Sequence, residues 1–156
     1  MKNGTHGLRS ISYRFDPKSL RSMDLQQKIN CIGGDYMLFS FDKNEYVTKM
    51  PHKKEYDRWR KNLSDADYRK TVDEINRMAD ESDVNTAGWM PGSDWSGTVY
   101  EPLYDACNCN KVQAGLFFGL IVFEALMNRS DTWGFGRYEK DGIPIRSMTY
   151  FRVENP

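Results

Sequence analysis

Cys107-Asn108-Cys109 places two thiols two residues apart, directly ahead of a strongly apolar run that has helical spacing. At a helix start, free backbone N–H groups and the positive end of the helix dipole lower a thiol's pKa, so either cysteine is a candidate nucleophile. Together with Cys31 and His52 the pair also supplies the ligand types of a Cys3His zinc site. The competing account treats the three cysteines as small buried apolar residues. It is favoured because the spacing matches no zinc ribbon and the four ligands are spread over 79 residues.

Carboxylates offer a second chemistry. Asp94, Asp105 and Glu124 sit in or beside a long irregular segment and could form an acid/base pair or hold magnesium. Glu124 lies on an otherwise apolar helix. It marks either the exposed stripe of that helix or a buried acid in need of a partner such as Arg137 or Arg146.

Other catalytic patterns are missing. There is no phosphate-binding Gly-x-x-x-x-Gly-Lys-Ser/Thr loop, and Gly134-Phe135-Gly136-Arg137-Tyr138-Glu139 lacks the third glycine of a dinucleotide fingerprint and lies in an expected strand. His6 and His52 are the only histidines, which excludes multi-histidine metal sites. A Gly-x-Ser-x-Gly elbow is absent too. No cofactor is expected from these residues.

Charge is informative by position. Lys+Arg and Asp+Glu both number 22, a neutral balance that excludes a generally basic nucleic-acid binder. Residues 1–78 nevertheless hold sixteen basic against eleven acidic residues, and residues 79–156 hold six against eleven. Lys53, Lys54, Arg58, Arg60 and Lys61 interleave with Tyr56 and Trp59, so this stretch would either bind phosphates while an aromatic stacks on a base or simply be the solvated face of a helix. Helical spacing favours the second, with Tyr56, Trp59 and Leu63 facing the core.

Between Ala79 and Asn110 there are six acidic residues and no Lys or Arg. The long acidic loop at 82–110 carries Trp89 and Trp95, and aromatic anchors with a charged rim are the composition of an interface. Trp89, Asp94, Trp95, Glu101 and Asp105 are therefore the candidate partner-binding residues. The alternative is that the tryptophans plug the core.

These residues need elements to position them. Alternation at Leu8–Phe15 predicts a strand, and Asp16-Pro17 opens a helix that stops at Gly33-Gly34. A strand is expected over 36–41, extended through Tyr46 and Val47 after an Asp42-Lys43-Asn44 turn. A helix from Lys53 is followed by another, which Ser64 and Asp67 open as a capping box and which puts Tyr68, Val72, Ile75 and Ala79 on one face. Pro102 would open a short helical turn through Ala106, and Asn110 caps the central helix, Lys111 to Asn128. A hairpin follows, with strands from Trp133 and over Met148–Val153 and a turn at Lys140-Asp141-Gly142.

The order β-α-β-α-α-α-β-β implies a single α+β domain over residues 1–156, a sheet of about four strands, mainly antiparallel, with helices on one face. The first residues lack the apolar core of a secretion signal, the cysteines are odd in number, and the longest apolar run is too short to span a bilayer, so the expected location is cytoplasmic with no membrane association.

The expected function is macromolecule binding, most directly of a protein. An inhibitor, immunity or accessory factor, of the kind encoded on a phage or other mobile element, fits the small size and missing motifs. The alternatives are a small hydrolase or transferase using the thiol, metal or carboxylate groups, and a nucleic-acid binder using residues 53–61. Opposite charge on the two halves also permits a homo-oligomer.

Overall fold

Short side-chain signals set the helix boundaries. Ser64 Oγ accepts a hydrogen bond from the Asp67 backbone N–H at 3.1 Å, and Asn110 Oδ1 does the same for Gln113 at 3.0 Å. Each satisfies a donor that the first turn leaves without an intrahelical partner. The computed structural model describes residues 38–153. The strand expected at 8–15, the helix expected from Asp16 to Gly34, and Cys31 lie outside the described residues.

Within them the order is β1 (Leu38–Ser40), β2 (Glu45–Tyr46), α1 (Lys53–Arg60), α2 (Asp65–Glu81), β3 (Val84–Thr86), α3 (Glu101–Ala106), α4 (Lys111–Met127), β4 (Trp133–Gly136), β5 (Glu139–Lys140), β6 (Ile143–Pro144) and β7 (Thr149–Arg152). The fold is α+β. Among the described residues the main sheet has five strands in the order β2-β1-β4-β7-β3; as expected it is mainly antiparallel, with β1 alone running parallel to its neighbour β4. The extra strand, β3, lies inside the segment expected to be a loop over 82–110. Its three residues, Val84-Asn85-Thr86, are too few to show periodicity, and pairing with β7 is what makes them a strand.

α4 is the centre of the core. Its Phe117, Phe118, Ile121, Val122 and Leu126 are buried, and each such side chain contributes about 1.5–3 kcal/mol relative to exposure. α1 lays Tyr56 and Trp59 on Phe117, and the Phe123 ring meets Phe135 of β4 edge-on at 5.4 Å. The sheet face toward α4 carries Leu38, Trp133, Phe135 and Tyr150. On the opposite face Phe41 covers Gly134, where a Cβ would collide with the ring. No helix among the described residues is long and apolar enough to cross a membrane.

Between β4 and β7 the chain rises into a separate two-stranded hairpin, β5 and β6. Asp141 and Gly142 both have positive φ, 53° and 78°, the pattern of a tight two-residue hairpin turn. The root of the hairpin is pinned twice. Ile145 N–H donates to the Tyr138 carbonyl at 2.8 Å, and Arg137 Nη1 donates to the Arg146 carbonyl at 3.1 Å.

Candidate functional site

Trp89 is placed by the end of β3. Thr86 and Thr149 join β3 to β7 through their hydroxyls at 2.9 Å, and Ala87 N–H extends the ladder to the Met148 carbonyl. The chain then turns, with the N–H groups of Trp89 and Met90 both donating to the Thr86 carbonyl. Met90 and Pro91 go inward, and Trp89 is left outside, 53% exposed. Gly88 permits this path, because a Cβ there would lie 2.7 Å from Ser147 Oγ.

Trp89 thereby faces the hairpin. Gly88, Trp89, Lys140, Asp141 and residues 143–147 line a groove of about 520 Å³, within the size range of ligand clefts. Lys140 Nζ lies over the Trp89 ring, 5.6 Å from its centroid. Ile143, also in the lining, is 70% exposed, so two large apolar side chains of the groove stand in water.

The other four candidate partner-binding residues do not line it. Trp95 is half-buried, with its ring 6.0 Å from those of Tyr100 and Phe118 and its Nε1 donating to the Gly92 carbonyl at 3.2 Å. Asp94 accepts from Ser96 N–H, which holds its carboxyl below the usual range, and Glu101 accepts from Gly97 N–H. Asp105, on α3, is reached by the Cys109 thiol at 3.9 Å. Trp95 closes its loop onto α4, and Trp89 alone of the five stands in the groove.

The thiol and metal candidates are dispersed in character. Cys107 is fully buried, and that burial pushes its thiol up to about 11, the opposite of activation. Cys109 and His52 are exposed, both in left-handed backbone conformations. Among the described residues no group of three or more His, Cys, Asp or Glu side chains is arranged to hold a metal ion.

The basic stretch on α1 keeps its aromatics inside. Tyr56 and Trp59 are 4% and 5% exposed, so neither is available to stack on a base. Lys53 pairs with Asp57, and Arg60 pairs with Asp65 while covering the Tyr68 ring. Lys54, Arg58 and Lys61 are exposed.

Glu124 is neither on an exposed stripe nor paired with Arg137 or Arg146. It is half-buried, and its Oε2 accepts hydrogen bonds from the hydroxyls of both Tyr56 and Tyr68, the latter at 2.6 Å. Burial and the Glu124 carboxylate push the Tyr68 hydroxyl up to about 12 and that of Tyr56 higher still. A helix with one acid and two tyrosines on neighbouring helices was the available signal, but no sequence spacing links positions 56, 68 and 124.

Hairpin residues Lys140, Ile143 and Arg146 were not singled out from the sequence as partners of Trp89, since 51 or more residues separate them from it. Only the β3–β7 pairing brings them together. Compared with known protein families, curated proteins and solved structures, the chain matches none of them.

Proposed function

We propose that this protein acts by binding another macromolecule, in the first place a protein, through the groove between Trp89 and the β5–β6 hairpin, as an inhibitor or accessory factor would. The observation that carries the reading is the half-exposed Trp89 ring, which with the exposed Ile143 of the hairpin lines a preformed groove. A solvated tryptophan beside a concave surface is the side chain that contributes most when a partner desolvates it. Trp95 plays a different part, holding the acidic loop to α4.

Two single substitutions separate these roles. Trp89→Ala should abolish Trp89-dependent capture of a partner from native extract while shifting stability by no more than about 0.5 kcal/mol, as expected for an exposed position. Trp95→Ala should instead lower the thermal midpoint. If Trp89→Ala unfolds the protein, or leaves capture unchanged, the groove is not the binding surface.

A further inference from the structure

The charged lining of the groove beside Trp89 is net positive, Lys140 and Arg146 against Asp141, whereas the loop that carries Trp89 is acidic. The acidic residues Asp94 and Glu101 are engaged by backbone N–H groups of their own loop. The groove is lined by two exposed cations, Lys140 and Arg146, and one exposed carboxylate, Asp141. Arg137 spends one N–H on the Arg146 carbonyl, and Lys140 rests over the Trp89 ring. Among the described residues no carboxylate pairs with Lys140 or Arg146.

Resting on the groove as the binding surface, we infer that its occupant is an acidic peptide segment of a protein partner, carrying one large apolar side chain flanked by carboxylates. The apolar side chain lies between Trp89 and Ile143, and the carboxylates meet Lys140 and Arg146. Arg146 offers a planar fork suited to a carboxylate, and Lys140 a point charge beside it. A nucleic-acid strand fits less well: one ring face of Trp89 is already taken by Lys140, so a base has less of the ring to stack on. A basic segment would meet Lys140 and Arg146 against the single carboxylate of Asp141.

The test pans a library of random linear peptides on the folded full-length protein, with counter-selection on Trp89→Ala. Enriched peptides should share a Phe, Leu or Trp with Asp or Glu on both sides. Their affinity should fall at least about tenfold for Trp89→Ala, a hot-spot-sized loss, and severalfold as salt is raised, because the pairs are exposed and screened. The doubly reversed variant Lys140→Glu/Arg146→Glu should lose these peptides and accept their lysine-swapped counterparts. Because both positions are exposed, this variant also keeps the fold intact, which circular dichroism verifies.

Enrichment of basic or uncharged peptides that still depend on Trp89 would overturn the inferred chemistry and leave the groove as the binding surface. Trp89-dependent binding of an oligothymidylate in preference to every peptide would overturn it in favour of a nucleic acid. If nothing selected distinguishes wild type from Trp89→Ala, both the inferred chemistry and the groove reading fail.

Discussion

Glu124 holds two helices to a third through one carboxylate oxygen. Hydrogen bonds to a charged acceptor contribute about 1.5–3 kcal/mol each, and removing the acceptor also strands two phenol hydroxyls. Glu124→Ala is therefore expected to cost about 2–4 kcal/mol in urea denaturation, and Glu124→Gln distinctly less, since the amide oxygen still accepts. Equal losses for the two would mean that the carboxylate does not act as this acceptor. Asp131 has a different environment. Burial alone would raise its pKa, but Arg129 at 2.7 Å and Arg152 at 2.7 Å outweigh it and hold the carboxyl below its ordinary 3.8. The buried Trp133 Nε1–H, which has no hydrogen-bond partner of good geometry among the described residues, also favours the carboxylate. With the folded pKa depressed, the contribution is full above about pH 4 and is lost as pH falls through the folded value. Asp131→Asn should flatten the acid limb of the stability profile below pH 4, and an unchanged limb would show that the network does not report on Asp131 ionisation.

At the scale of elements, α4 shows how much of a helix is decided by what it meets. Its hydrophobicity is continuous, yet Leu116 is 59% exposed and Val112 74%, whereas Phe117 is fully buried. Consecutive residues should thus differ sharply: Phe117→Ala is expected to cost about 3–5 kcal/mol, and Leu116→Ser no more than about 0.5, both read from chemical denaturation. A comparable loss at both positions would mean that Leu116 is covered. The existence and starts of α2 and α4 were legible from Ser64, Asp67, Asn110 and Gln113, because an N-cap is a contact between residues three apart. Burial of Tyr56, Trp59 and Leu63 was legible from helical spacing for the same local reason. β3 was not, since a three-residue strand exists only through its distant partner β7.

For the whole molecule, the four tryptophans divide by depth. Trp59 and Trp133 are 5% and 0% exposed, Trp95 is half-buried, and Trp89 is more than half exposed beside Lys140. Iodide should therefore quench a fraction of the intrinsic fluorescence that largely disappears in Trp89→Phe, and the cation caesium should quench it less, because like charge repels it from Lys140 and Arg146. Equal quenching of wild type and variant would place Trp89 inside. The polarity of charge along the chain does not carry over into this site: Lys140 and Arg146, from the acidic half of the sequence, outnumber Asp141 in the lining beside its exposed tryptophan.

The sequence by itself determined what depends on near neighbours: the α+β class, the capped helices, the apolar α4 and the turn at Asp141-Gly142. It also narrowed the chemistry, by lacking the motifs of phosphate, dinucleotide and multi-histidine sites. The tertiary structure alone decided which tryptophan is exposed, which residues face it, that Glu124 is met by tyrosines, and that β1 lies parallel to β4. All of these are pairings between residues tens of positions apart, and spacing along a chain holds no information about which distant surfaces meet until the strands have registered and the core has closed.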